Sequence, residues 1–255
     1  MSELLYGRNA VREALRAGRR QLNRLLLAEG VLVQEDSGAL GEAVAEAKRQ
    51  DIAVQNVPRL RLDQMTSGAN HQGVALDTSP YPYADFNDLL AALPGQQDPL
   101  VLALDHLQDA QNVATLLRTA EAAGVAGVVL PERRAALITP AVSNASAGAI
   151  EHLQIATVNN LPRAIEQLQA AGLWVAGLQE EGAQLYSKVD LRGPLVIVVG
   201  SEGSGLQRLA AEKCDFLLRL PMFGRIESLN AAVAGSIVLY EAARQRTTEG
   251  LVGRG

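Results

Sequence analysis

The second part of the chain alternates short, wholly apolar runs with helical patterns, and this alternation limits the possible folds more than any other feature. The predicted strands cover residues 100–104, 127–130, 173–177, 195–199 and 216–219. Runs rich in Val, Ile and Leu without polar alternation are typical of strands buried on both faces, and such strands belong to parallel sheets. We therefore predict an α/β domain with a parallel sheet over residues 100–246.

The first 77 residues predict a smaller α/β unit of their own. The pattern indicates helices at about 7–17 and 38–50, a helical turn at 59–65, and strands at 25–28, 52–57 and 73–76. Residues 78–99 contain four prolines among turn formers, which predicts a linker between two domains. Residues 247–255 are expected to form a flexible C-terminal tail.

Composition excludes several classes of protein. With 48% hydrophobic and 20% charged residues, the chain is of the globular kind. No apolar run approaches the roughly 20 residues of a membrane-spanning helix, and the first residues lack a signal-peptide pattern. Cys214 is the only cysteine and the three histidines are scattered, so neither a disulfide nor a metal site is expected. We expect a cytoplasmic protein.

One helix near the N-terminus is rich in arginine. Arg8, Arg12 and Arg16 are spaced by four residues, which places them on one helix face. The net charge is −5, so a nucleic-acid-binding function would need a local basic surface such as this one. A solvated helix face is the alternative interpretation.

The first of three polar segments is a strand, a polar turn and a helix over residues 104–124. Asn112 lies near the predicted start of the helix, and Arg118 follows six residues later among Ala, Thr and Leu. Asn112 could simply cap the helix, with Arg118 an exposed residue. The alternative is a polar pair at a functional site.

The second segment, residues 196–206, leads from a hydrophobic strand into a glycine-rich turn. Glycines at 200, 203 and 205 match neither the dinucleotide fingerprint G-x-G-x-x-G nor a phosphate-binding P-loop. Glu202 lies in the middle of the turn, where a simple tight turn needs no acid. This favours a ligand-binding loop at the carboxyl end of the sheet.

The third segment, residues 218–235, ends a strand and opens a long helix that continues to about 246. Ser228 and Asn230 lie at the start of that helix. Ser228 could be its N-cap. Asn230 is followed by apolar residues, and a buried amide there would need hydrogen-bond partners.

Together and in this order, the three segments resemble the motifs of the SpoU (TrmH) branch of the SPOUT methyltransferases. The resemblance covers roughly residues 100–246. The first 77 residues, with an opening Tyr6-Gly-Arg-Asn-Ala and a closing His71-Gln-Gly-Val, resemble the L30e-like substrate-binding domain of the RlmB type.

The resemblance implies a deep trefoil knot, S-adenosylmethionine as cofactor and a homodimer with its sites at the subunit interface. It implies cofactor contacts at Gly177, Gly200, Leu220 and Leu229. It implies a catalytic set of Asn112, Arg118, Glu202, Ser228 and Asn230. A guanidinium is a poor base, so Arg118 is expected to orient an RNA phosphate while the other polar residues hold the ribose and the arginine.

Three alanines depart from the family motifs. Ala110 and Ala114 stand where the first motif has Pro and Gly, and Ala232 stands where the third has Ser. These changes affect turn stiffness and packing more than polar chemistry.

The expected reaction is 2'-O-ribose methylation of a guanosine in 23S ribosomal RNA, in the peptidyl-transferase P-loop. A tRNA ribose methyltransferase is the second interpretation. A non-catalytic ribosome-associated RNA-binding protein is a third, although the complete polar set disfavours it. A nucleotide-dependent oxidoreductase is disfavoured by the order of the glycines.

Overall fold

Two units make up the chain in the computed structural model. The structure describes residues 2–33, 38–133, 135–180, 183–203 and 205–247. The first unit comprises Met1–Pro82 together with Ile138–His152, and the second comprises Tyr83–Leu137 together with Leu153–Gly255. The expected tail falls outside the described residues from 248 onward.

The first unit is built on a four-stranded sheet in the order β1-β4-β2-β3. Its strands are β1 (Glu3–Tyr6), β2 (Leu22–Ala28), β3 (Ala53–Val57) and β4 (Val74–Thr78). β4 pairs antiparallel with β1 and β2, whereas β2 and β3 are parallel. The helices are α1 (Arg8–Ala17), α2 (Gly38–Arg49) and α3 (Arg59–Met65). The predicted small α/β unit is therefore present, with β1 as an additional strand.

Residues 138–152 complete the first unit, although the sequence interpretation placed them in the second domain. They form α6 (Pro140–Ala145) and a 3-10 turn (Ala149–His152). Glu151 carries a fully buried side chain there and accepts hydrogen bonds from Arg20, which is also fully buried. This ion pair joins stretches of chain that are 131 residues apart.

The second unit contains a seven-stranded sheet whose strands are all parallel, as predicted. In spatial order they are β7 (Ile155–Val158), β6 (Gly127–Pro131), β5 (Leu100–Asp105), β10 (Leu195–Gly200), β8 (Trp174–Leu178), β11 (Phe216–Arg219) and β9 (Gln184–Leu185). The helices are α4 (Phe86–Ala92), α5 (Ala110–Ala122), α7 (Leu161–Ala170), α8 (Arg208–Glu212) and α9 (Ala231–Arg246). A 3-10 turn, Tyr186–Lys188, follows β9.

Residues 78–99 hold more structure than a simple linker. Within them, Asp85 caps α4 by accepting from two backbone N–H groups. Leu89 and Leu93, spaced by one helical turn, are buried in the core of the second unit. The division between the two units falls within this stretch, after Pro82.

Candidate active site

The site lies at the carboxyl edge of the central strands β5 and β10. These strands pair in parallel register, with Gly200 opposite Asp105 at their ends. The turns that follow the two strands therefore leave the sheet side by side. Ligands of parallel α/β sheets bind outside this edge.

Gly200 allows the glycine-rich turn to fold back on the end of β10. A Cβ at this position would lie 2.2 Å from the carbonyl carbon of Gly205 and 2.3 Å from its oxygen. Ser201 and Gly205 exchange two backbone hydrogen bonds of 3.0 Å, which close the turn. Because the obstruction is backbone, only glycine fits at the end of the strand.

Three predicted polar residues from three distant segments meet at this turn. Glu202 Oε1 accepts a hydrogen bond from Asn230 Nδ2 at 2.6 Å and a second one from Asn112 Nδ2. Asn230 Nδ2 also donates to Asn112 Oδ1 at 3.0 Å. Hydrogen bonds to a carboxylate are roughly twice as strong as neutral ones. These contacts hold the N-terminal ends of α5 and α9 against the glycine-rich turn. We call Asn112, Glu202 and Asn230 the polar triangle.

Two proposed helix caps are corrected by the structure. Asp109, not Asn112, caps α5 by accepting from the N–H groups of Gln111 and Asn112. The Asn112 side chain is therefore available for Glu202.

The long helix α9 likewise begins after Asn230 rather than at Ser228. Asn230 Oδ1 accepts from the N–H groups of Ala232 and Val233 at 2.9 and 3.2 Å. Asn230 is exposed rather than buried, and its amide is hydrogen-bonded on both sides.

A cavity of about 1130 Å³ opens next to the polar triangle. Three of the residues expected to contact the cofactor line it, namely Gly200, Leu220 and Leu229, as do Glu202, Ser228 and Asn230. Leucines and alanines form apolar parts of the wall, and the charged residues that line it are four glutamates and two arginines: Glu180, Glu202, Glu212, Glu227, Arg208 and Arg219. Pockets of this kind combine an apolar lining with a few polar groups.

Gly177 does not line this cavity, although its neighbour Leu178 does. A Cβ on Gly177 would lie 2.6 Å from Leu206 Cδ1 and 2.7 Å from Cys214 Sγ. The glycine therefore allows close packing beneath the cavity. Burial raises the pKa of Cys214 to about 12, so its thiol is neutral.

Arg118 and Ser228 are not part of the polar triangle. Both side chains are exposed. Within the described residues of this single chain, Arg118 makes no hydrogen bond or ion pair. Its neighbour Thr119 is hydrogen-bonded to Ser236 at 2.9 Å and so faces α9, whereas Arg118 lies about 100° around the helix from it.

The arginine face of α1 is partly neutralised by glutamates. Arg12 and Arg16 both pair with Glu42, at 3.2 and 2.9 Å, and both also contact Glu13. Arg8 is exposed and donates to the backbone oxygen of Gln72 at 3.1 Å. Of the three, Arg8 is the one that makes no ion pair within the described residues.

The sequence interpretation missed a second group at the same edge of the sheet. Asp105 and His106 follow β5 directly, and His106 Nδ1 lies 2.6 Å from Asp105 Oδ1. They adjoin a smaller cavity of about 470 Å³, which shares Ser201 and Glu202 with the larger one. A polar pair immediately after a buried strand was the available signal, because strand ends carry the ligand sites of such sheets.

The three departures from the family motifs lie at helix positions that do not carry the polar triangle. Ala110 is the first residue of α5, Ala114 is fully buried within it, and Ala232 is buried in the first turn of α9. The polar triangle forms with all three alanines in place.

Comparison with known proteins identifies the family. Residues 99–240 match the SpoU rRNA Methylase family, and residues 4–84 match the family described as RNA 2'-O ribose methyltransferase substrate binding. The chain belongs to the SpoU family of RNA methyltransferases.

The relatives of this SpoU protein span nearly its whole length. A Bacillus subtilis (strain 168) protein, YacO, named for the TrmH family tRNA/rRNA methyltransferases, is 42% identical over 97% of this chain and 98% of its own. A Staphylococcus aureus (strain COL) protein with the same family name is 43% identical over 95% of this chain and 96% of its own.

Solved structures show the same SPOUT methyltransferase fold. The AdoMet-bound rRNA methyltransferase from Sinorhizobium meliloti has a TM-score of 0.79 at 27% identity, covering 97% of this chain and 88% of that chain. The methyltransferase AviRb from Streptomyces viridochromogenes, at 22% identity, has a TM-score of 0.76, covering 96% and 90%.

None of the helices in the described ranges has the length and apolar character that crossing a membrane requires. In the same ranges, no three His, Cys, Asp or Glu side chains are grouped as metal ligands would be.

Proposed function

We propose that this SpoU-family protein transfers a methyl group from S-adenosylmethionine to the ribose 2'-hydroxyl of a guanosine in 23S ribosomal RNA, in the peptidyl-transferase P-loop. The polar triangle beside the larger cavity is the observation that carries the proposal, because it joins the three motif segments at one point. The first unit matches a substrate-binding family for ribose methylation, which supports the 2'-oxygen as acceptor. The guanosine and its position rest on the sequence resemblance to the RlmB type.

The larger cavity fits the cofactor. Its glycine-lined edge at Gly200 leaves room for close backbone approach, and its apolar wall suits an adenosine. Glu180, Glu202 and Glu227 on its wall supply carboxylates for a cationic sulfonium, whereas Glu212 is already paired with Arg208. When bound, S-adenosylmethionine supplies a methyl group activated by that positive charge. The Sinorhizobium relative, whose structure holds AdoMet, supports the same assignment.

The residues of the chain position the acceptor. Glu202, held by two amides, restrains the turn that separates the two cavities. Asn112 and Asn230 fix the ends of their helices around it, and Ser228 on the cavity wall is available to the ribose. Arg118 grips the adjacent RNA phosphate, a role for which the planar guanidinium is well suited. Holding reactants in near-attack geometry supplies much of the rate of such a displacement.

The protein acts as a homodimer whose second copy covers the exposed apolar face of α9. Val233 and Tyr240 on that face are 44% and 55% exposed, and Phe223 and Ile226 in the preceding loop are more exposed still. The loop also lines the larger cavity through Leu220 and Leu229, so the face is continuous with the site. Arg118, which is exposed on α5, is proposed to act at a site shared between the subunits. The deep trefoil knot that the family resemblance implies is part of this proposal. The protein is also proposed to work in the cytoplasm.

The first unit binds the RNA substrate. Arg8, Arg59 and Arg61 are exposed and make no ion pair within the described residues, so their charges are available to phosphates. Arg12 and Arg16 contribute less, since Glu13 and Glu42 already neutralise them.

The experiment that tests the function is a map of 2'-O-methyl groups on ribosomal and transfer RNA from cells lacking this protein. We expect one missing methyl, on a 23S guanosine, restored by the wild-type gene. Arg118→Ala should not restore it, although the purified variant should bind S-adenosylmethionine normally. Arg163→Ala, an exposed arginine on α7, is the matched control and should restore it. A missing methyl on a tRNA would support the second candidate, which the names of the relatives include. An unchanged map would contradict the proposal.

Sedimentation tests the dimer. Tyr240→Lys places a charge in the proposed interface and should yield monomers. Leu60→Lys, at a residue 68% exposed in the first unit, is the control and should remain dimeric. A monomeric wild-type protein would contradict this part of the proposal.

A further inference from the structure

The imidazole of His106 lies at the smaller cavity and has no part in the function proposed above. His106 lines it together with Gln108, Asp109, Glu202 and Gln207. We infer that His106 Nε2 accepts the proton of the ribose 2'-hydroxyl during methyl transfer. This inference rests on the proposed function and deepens it by naming the proton acceptor.

A buried carboxylate sets the orientation of the ring. Asp105 is 1% exposed, and its Oδ2 accepts from the backbone N–H of Gln207 at 2.6 Å. Its Oδ1 lies 2.6 Å from His106 Nδ1. A carboxylate in this position accepts a hydrogen bond from Nδ1–H, so the neutral ring keeps its proton on Nδ1 and carries its lone pair on Nε2. The His106 side chain remains 32% exposed toward the cavity.

The backbone at His106 is held in an uncommon conformation. Its φ is +57°, in the left-handed region that glycine adopts most readily and that Asn and His tolerate better than most residues. Strained residues of this kind cluster at functional sites when the surroundings hold them in place. The hydrogen bond to Asp105 holds this one.

The smaller cavity adjoins the proposed cofactor cavity. Ser201 and Glu202 line both, so the glycine-rich turn forms their common wall. A ribose in the smaller cavity would therefore lie beside the methyl donor, with its hydroxyl facing His106. Positioned bases of this type increase rates by roughly 10²- to 10⁴-fold.

Among the described residues, the charged groups that line the cavity or contact His106 are acidic. Asp105 comes from β5, Asp109 from the cap of α5, and Glu202 from the turn after β10. Ala136 donates to the backbone oxygen of Leu107, but no described residue of 131–137 lines the cavity. An imidazolium formed in the reaction would be stabilised by these carboxylates.

The step balances without a further reactant. The 2'-O–H bond breaks and its proton moves to His106 Nε2. The electron pair left on the oxygen forms the new bond to the methyl carbon, and the pair of the carbon–sulfur bond leaves with the thioether. The imidazolium then returns its proton to water.

Nuclear magnetic resonance of the protein without cofactor gives the first test. The neutral His106 ring should carry its proton on Nδ1, with its signals assigned by their loss in His106→Asn. A ring protonated on Nε2 alone would overturn the inference, because that nitrogen could not accept a proton.

Single-turnover methyl transfer gives the second test, with an unmodified 23S rRNA transcript or, if that is not methylated, tRNA transcripts. His106→Gly preserves the left-handed backbone. The variant should lower the rate about a hundredfold and leave the calorimetric affinity for S-adenosylmethionine unchanged. Its rate should no longer fall at acidic pH and should rise when imidazole is added. His152→Asn, which removes a histidine paired with Glu13 in the first unit, is the control and should change none of these.

Each alternative result has a distinct meaning. A His106→Gly rate within roughly threefold of wild type, a retained acidic limb, or no response to imidazole would overturn the role of His106 alone. A wild-type protein that methylates neither class of transcript would overturn the proposed function and this inference together.

Discussion

The oxygen and the nitrogen of the Asn230 side-chain amide have different functions. The oxygen caps α9 and the nitrogen donates to Asn112 and Glu202. Asn and Asp cap helices equally well, so a change to Asp separates the two tasks. The cap remains, but the hydrogen-bond donor becomes a second carboxylate.

Asn230→Asp should therefore impair the site and leave the fold intact. The new carboxylate would lie near Glu202 Oε1, which is 2.6 Å from the present nitrogen, and like charges at this distance repel. We expect methyl transfer to fall at least about tenfold with little change in melting temperature. Asn160→Asp, at the cap of α7, is the matched control and should be active. Full activity of Asn230→Asp would contradict the role of the polar triangle.

Gly200 and Gly224 differ in whether the surrounding backbone leaves room for a side chain. A Cβ at Gly200 meets the backbone of Gly205, whereas a Cβ at Gly224 meets nothing within 4 Å. Gly200→Ala should weaken S-adenosylmethionine binding at least about tenfold, because backbone cannot rotate away. Gly224→Ala should bind normally. Calorimetry measures both, and equal affinities would show that the turn tolerates displacement.

Residue patterns and the family resemblance together predicted the members of the polar triangle but not their partners. Glu202 and Asn230 were recognisable from their places within a glycine-rich turn and before an apolar run, whereas Asn112 was singled out by the resemblance. Their contacts span 28 to 118 residues of sequence, and such distances leave no trace in local spacing. His106 was overlooked because it belongs to none of the family motifs, although with Asp105 it directly follows a buried strand.

At the scale of elements, the start of α5 shows how a departure from the family motif is accommodated. Asp109 supplies the cap with its side chain, and Ala110 occupies the first helical position. Proline is favoured at that position because its N–H is not needed there and its φ is already helical. The extended backbone of Asp109, with φ −74° and ψ 118°, is compatible with a following proline.

Ala110→Pro should therefore stabilise the protein. The ring restricts the unfolded chain, which contributes about 0.5 kcal/mol and raises the melting temperature by about 1–2 °C. Ala110→Gly has the opposite effect on the unfolded chain and should lower the melting temperature. A lower melting temperature in the proline variant would mean that the first turn of α5 is strained.

Most apolar strands were predictable, although three short strands were missed. The five strands predicted in the second part are all present, including β11 with four residues. The missed strands are β1 and β7, with four residues each, and β9, with two. Segments this short have too few residues for a clear periodicity, so they are predictable only where every residue is strongly apolar or the flanking pattern is clear. The order of strands in the sheet depends on how distant segments pack, which the periodicity of one segment does not contain.

At the scale of the molecule, one buried ion pair closes the first unit. Arg20 is bound by Glu151 and Glu3, and Tyr81 lies 5.3 Å below its guanidinium. Breaking a buried pair by removing one charge is much more costly than replacing both partners.

Glu151→Gln should destabilise the first unit by about 3–5 kcal/mol. The arginine would keep its charge in a buried position with only Glu3 to balance it. Hydrogen exchange should accelerate in α1 and β2 and remain slow in β5 and β10. Asp190→Asn, which breaks a pair between exposed side chains, is the control and should leave exchange unchanged. Unchanged exchange in Glu151→Gln would show that water or Glu3 compensates the arginine.

The sequence interpretation assigned residues 138–152 to the second domain because nothing in their composition marks a return to the first. The SpoU family match also runs through them without interruption. The packing of α6 and the 3-10 turn on β1 and α1, together with the pair between Glu151 and Arg20, places them in the first unit.

The chain contributes two separate stretches to the first unit, Met1–Pro82 and Ile138–His152. This limits how such proteins can be divided or recombined. A fragment ending near Pro82 would retain Arg20 but lose Glu151, and a fragment starting there would carry a stretch without its surroundings. Grafting the front portion of one relative onto the catalytic portion of another would therefore require two exchanged stretches, the second of them a short insert within the recipient gene.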